Sequence, residues 1–189
     1  MLVAGNDNDS IGRYLRGLHE ALMLSGRASY RVVDPQGLLG DALPDGNVLS
    51  TTEDAQSFVE ALCAGEVEVH IVVFTSIAQT LASLSAATSG ALAGYIAGER
   101  CVGKTSLVCA SEAWRVRAVY DDWYKVVSSH GNGIWCGSGF SDQTMFRFAR
   151  PLAEYRQPAD RSDGFLVMRG NITCVRLLEA TAEPKEEGR

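Results

Sequence analysis

Residues 98 to 105, "GERCVGKT", match the phosphate-loop spacing G-x-x-x-x-G-K-[ST] in every position, the pattern by which backbone amides cradle phosphates while Lys and a hydroxyl serve the outer phosphate and Mg²⁺. That chemistry needs a strand before the glycines and a helix beginning at the Lys, so that the positive helix end faces the anion. Here the order is reversed. The Ala-, Leu- and Ser-rich stretch from Ile77 to Gly98 predicts one long helix before the pattern, and "SLVCAS" predicts a buried strand after it. Gly98 then serves as a helix C-cap, Gly103 as a turn and Lys104 as a solvated cation. Replacing Lys104 with Ala is expected to leave any nucleotide affinity unchanged.

The first strand-to-helix turn, "GNDNDSIG" from Gly5 to Gly12, stands where an α/β fold holds a phosphate. Aligned on Gly5, Ser10 takes the second glycine's place, Ile11 the lysine's and Gly12 the hydroxyl's. Asp7 and Asp9 add negative charge where phosphate would lie. Gly5, Asn6, Asp9, Ser10, Ile11 and Gly12 therefore form a degenerate nucleotide-binding set, weak in affinity if it binds at all. The acidic pair that would hold metal at the end of the central strand is missing too, because Phe74 is followed by Thr75 and Ser76. No catalytic residue is assigned and no cofactor is expected, ATP with Mg²⁺ being at most a weak ligand. The histidines His19, His70 and His130 show no ligand spacing, so no metal is expected.

The elements that must position these residues alternate along the chain. A short strand "LVAG" precedes a helix carrying Ile11, Leu15, Leu18 and Leu22, with Ser10 near its start and Gly26 past its end. "SYRVVD" and "NVLS" are strands. A helix then starts at Ser50 and Thr51, with Glu53 and Asp54 three residues on, and carries Phe58, Val59 and Leu62. The apolar run Val67 to Phe74 predicts a central parallel strand buried on both faces. Further on, "GIWCGSGF" predicts a strand with Ile134 and Cys136 on one face and Trp135 on the other, "SDQTMFRF" a helix capped by Ser141, and "GFLVMRGNITCVRLL" a hairpin around Gly170 and Asn171.

With 189 residues, 46% of them apolar, the chain suits one compact domain over 1–180 and a charged tail, 181–189, expected to be disordered. A net charge of -6 and the absence of Lys/Arg clusters argue against nucleic acid and against an anionic membrane face. No apolar run approaches the roughly 20 residues of a membrane helix. Five cysteines without C-x-x-C spacing suit a reducing compartment.

"WYK", the spaced "NGIWCGSGFSDQ" and the closing "GFLVMRGNITCVRLLE" resemble the last ATPase-like module of the membrane-bound secretion ATPases of type VIIb systems (the EssC/YukB type), within the FtsK/SpoIIIE superfamily. The resemblance is most specific over residues 123 to 178. It implies a RecA-like P-loop NTPase fold, α/β and three-layered, with a mostly parallel sheet and a C-terminal antiparallel hairpin. It also implies a cytoplasmic module of a membrane-anchored motor, without direct membrane contact of its own. Its partners would be W-X-G-type export substrates, effectors and the neighbouring ATPase modules. The third module of that family is commonly degenerate, and a related system holds a substrate signal in an apolar pocket near the vacated nucleotide site. By that analogy Trp123, Trp135, Phe140, Asp142 and Gln143 are candidates for substrate recognition, an aromatic platform with a polar rim. The alternative is that both tryptophans fill the core at a sheet edge.

Overall fold

The computed structural model describes residues 1–40, 46–98, 105–117, 122–146 and 163–177. Lys104 and the rest of 99–104, the tail 181–189 and the stretch 147–162 lie outside the described residues, as does the side chain of Asp142. Eight strands form one sheet: β1 (Leu2–Gly5), β2 (Tyr30–Val33), β3 (Val48–Leu49), β4 (Ile71–Phe74), β5 (Ser106–Glu112), β6 (Asn132–Cys136), β7 (Asp163–Met168) and β8 (Asn171–Arg176). Their order is β3-β2-β4-β5-β1-β6-β7-β8. Strands β1 to β6 pair in parallel, while β7 and β8 add the antiparallel extension expected from the hairpin signal.

Among the described residues the α-helices are α1 (Asn8–Ser25), α2 (Thr52–Ala64), α3 (Ile77–Ser83), α4 (Ala86–Ala97), α5 (Ala113–Arg117) and α6 (Asp122–Ser129). The steps from β1 to β2 and from β2 to β3 run in one direction along the sheet, and the crossovers from β3 to β4, β4 to β5 and β5 to β6 run in the other. Parallel crossovers keep one hand, so the reversal sends α1 to one face of the sheet and α2 to α6 to the other. The two cores follow this division. Ile11, Tyr14 and Leu15 of α1 pack on Val3, Val32, Val73, Ala110 and Ile134. On the opposite face Val59, Leu62, Leu92, Ile96 and Trp123 pack on Leu2, Ala4, Phe74, Cys109 and Trp135. Successive strand residues thus serve opposite layers, as the period of two requires.

Four sequence expectations need correction. The single helix expected from Ile77 to Gly98 is broken at Leu84 and Ser85. Ser85 is extended and caps α4 by accepting the Thr88 N–H at 3.2 Å, a bond that ends one helix and starts the next. The central strand is shorter than Val67 to Phe74, beginning at Ile71. At Ser141 the described chain makes only a 3₁₀ turn, Phe140–Asp142, and Gln143 is extended. The hairpin turns on Arg169 and Gly170, one residue earlier than expected. Both have positive φ, 50° and 81°, the backbone of the two-residue turn that matches strand twist.

Candidate functional site

β1 delivers Gly5 to the carboxyl edge of the sheet, and α1 begins at Asn8, leaving only Asn6 and Asp7 between them. Asp7 is the N-cap: its Oδ1 accepts the Ser10 N–H at 2.7 Å and its Oδ2 the Ser10 hydroxyl at 3.2 Å. A carboxylate held on the first amides of a helix is stabilised by those amides and by the positive helix end. The protein's own anion therefore sits where a bound phosphate would draw on the same groups. The charge of Asp7 is legible in the sequence but its capping role is not, because Ser10 is the more familiar cap type.

The turn is also covered. After β6 the chain folds back over it at Gly137, Ser138 and Gly139, and the Trp135 indole N–H donates to the Ser138 carbonyl at 3.0 Å. Gly137 and Gly139 have φ of 75° and 81°. A Cβ on Gly137 would stand 2.6 Å from the Ser10 hydroxyl, and one on Gly139 would collide with the Asn6 side-chain amide. Asn6 in turn donates to the Ser138 carbonyl at 3.4 Å. The glycine pair is what allows this close approach.

The remaining expected turn residues are placed one by one. Gly5 lies against Cys136, whose carbonyl would be 2.8 Å from an added Cβ. Ile11 is fully buried in the α1 core. Gly12 is buried and faces the Leu38 carbonyl, and Asp9 is exposed. On the neighbouring strand, Glu112 pairs in register with Gly5 and its carboxylate holds Arg115 at 2.6 Å. Burial pushes the Cys136 thiol far above its ordinary pKa, and the nearby Asp7 adds to the shift.

At the end of β4, Thr75 donates its hydroxyl to Asp34 Oδ1 at 2.6 Å and to the Val33 carbonyl at 3.2 Å. Asp34 also accepts the amides of Leu38 and Leu39 at 2.9 and 2.8 Å. It is a buried carboxylate committed to a turn. The turn thus carries a carboxylate on the first amides of α1 and Ile11 at the position of a phosphate-loop Lys, and the strand end carries a hydroxyl already bonded to Asp34. Among the described residues no group of His, Cys, Asp and Glu could hold a metal ion.

No protein-family model matches the sequence, and no curated protein matches it. Solved structures do. EssC (ATPases 2 and 3) from Geobacillus thermodenitrificans superposes with a TM-score of 0.71 at 15% identity, over 94% of this chain and 36% of that one. This chain folds as an ATPase module of that kind. The cytoplasmic domain of EssC gives a TM-score of 0.71 at 16% identity, over 94% of this chain and 39% of that one. Thermomonospora curvata EccC (ATPases 2 and 3), solved in complex with a signal sequence peptide, gives 0.67 at 14% identity, over 96% and 37%. The chain thus spans little more than a third of the length of these relatives. No helix among the described residues is long and apolar enough to cross a membrane.

Within the module fold, the aromatic candidates are interior. Trp135 and Phe140 are 0% exposed and Trp123 is 1% exposed. Phe140 stacks on Phe165 at 4.2 Å and lies 6.1 Å from Trp135. Gln143, expected at a polar rim, is buried: its Oε1 accepts the amides of Met145 and Phe146 at 2.6 and 2.7 Å. Trp123, Trp135, Phe140 and Gln143 are buried and form no exposed platform. An apolar groove of about 710 Å³ lies instead at the opposite, lower edge of the sheet, where Leu18 and Leu22 of α1, Leu107 of β5 and Val126 and Val127 of α6 converge. No periodicity marks it, because its walls come from both faces of the sheet.

Proposed function

We propose that this chain is a non-hydrolysing recognition or regulatory module of a type VII secretion ATPase. On this reading it belongs to the cytoplasmic part of a membrane-anchored motor, touches neighbouring ATPase modules, and receives helical W-X-G-type export substrates and effectors. The carrying observation is the self-capped turn, in which Asp7 takes the phosphate's place on α1. Two further facts support it: two-module EssC chains share the fold, and an EccC of the same fold was solved with a signal sequence peptide.

The lower groove is the surface we assign to the substrate. Its lining of Leu18, Leu22, Leu107, Val126 and Val127 suits the apolar stripe of an amphipathic helix. Titration of a fluorescent amphipathic helix of about 20 residues is the test. We expect saturable binding that Leu22→Asp or Val127→Asp abolishes at a temperature where each variant, though less stable because both residues pack against the core, is still folded. Absence of binding by the unmodified chain, or binding indifferent to both substitutions, overturns the assignment.

A further inference from the structure

Beside the apolar groove, along α6, lies a second cavity of about 820 Å³ that carries more polar groups. Lys125, His130 and Arg169 stand around it, with the hydroxyls of Tyr124 and Thr144, and among the described residues that line it none is a carboxylate. In a chain of net charge -6, Lys125 and Arg169 beside one hollow are a local concentration of positive charge.

Two details of geometry show how the cluster is built. The Nδ1 of His130 lies 2.8 Å from the Val126 carbonyl, so that nitrogen carries a proton and donates to the helix end, leaving Nε2 as the ring's other polar atom. Arg169 is the only non-glycine residue with positive φ among the described residues. Its amide donates to the Gly131 carbonyl and to Asn132 Oδ1, both at 3.1 Å, which holds the turn in place. The first position of this turn favours Asn, Asp or Gly. A long branched cation there is held against its backbone preference, and such strain at a cavity mouth points to use rather than to packing.

We infer that this cavity is a binding site for a multiply charged organic oxyanion, a polyphosphate or a polycarboxylate. Arg169 supplies the planar fork for paired oxygens, and Lys125 supplies a point charge. Tyr124 and Thr144 supply neutral donors. The volume exceeds that of a simple ion and falls in the range of small-molecule sites. The site lies at the other edge of the sheet from the Gly5–Gly12 turn and shares His130 with the lining of the apolar groove.

Isothermal titration at low salt with pyrophosphate and with citrate tests this. We expect one saturable site for at least one of the two, the tighter one naming the ligand class, weakened at least tenfold by Arg169→Gln. Arg31→Gln removes the same charge on β2, four strands away from β6, and is expected to leave binding within twofold. Arg169→Gly separates binding from folding: it relieves the left-handed backbone, so the variant melts no lower than the parent while losing the anion. No saturable heat from either probe, equal weakening by Arg31→Gln, or full binding by Arg169→Gly overturns the site.

Discussion

At the scale of single residues, what distinguishes this molecule is where its polar side chains are spent. Asp7 caps a helix, Asp34 and Thr75 tie together two strand ends, and Gln143 braces a turn. Asp7→Ala removes an N-cap and is expected to cost about 1 kcal/mol of stability, measured by urea unfolding. Trp135→Ala empties a fully buried site and should cost about 3–5 kcal/mol, with any ligand binding lost only as the fold is lost. Tyr14 gives the protein an alkaline limit. Burial, aided by Cys136, raises its pKa from 10.0 to about 12, so above pH 10 the unfolded chain releases this proton first and binds fewer protons than the native state. Stability from this group is complete below about pH 10 and falls as pH rises toward 12, by about 2–3 kcal/mol in all. Tyr14→Phe should flatten that limb of a pH series of unfolding curves, apart from the contributions of Tyr124 and Cys136, which shift the same way.

At the scale of elements, the Gly137–Gly139 segment shows how a loop can close a site. Gly139→Ala would place a methyl group on the Asn6 amide in a left-handed backbone. A loss of at least about 1 kcal/mol is expected, since both the contact and the φ oppose it; an unchanged unfolding midpoint would mean the loop does not hold the turn. Much of this level was legible beforehand. The alternation of Ile134, Trp135 and Cys136 correctly assigned them to opposite faces, and the helix-before-strand order around residues 98 to 105 agrees with α4 ending at Ala97 and β5 starting at Ser106. What escaped depends on distant partners. The break at Ser85 is held by α2: Gln56 accepts the Ser85 amide at 3.3 Å, and Glu60 accepts the Thr88 hydroxyl at 2.8 Å. Alanine-rich periodicity alone runs straight through it. The aromatic candidates show the same limit, because composition cannot distinguish an exposed platform from a core when a hairpin such as β7–β8 supplies the cover, here through Phe165.

At the scale of the whole molecule, the two edges of the sheet have different offices. The carboxyl edge, where open α/β sheets ordinarily bind ligands, is closed by Asp7 and the glycine loop, while the lower edge carries both the apolar groove and the cationic cavity along α6. The proposed recognition role draws on this second edge. The most direct measurement is thermal unfolding of the purified chain with and without saturating Mg-ATP, since a ligand that binds only the folded state must stabilise it. The self-capped turn predicts coincident melting curves. A shift equivalent to about 2.7 kcal/mol, the stabilisation given by ligand at a hundredfold excess over its Kd, abolished by substitutions within Gly5–Gly12, would contradict it.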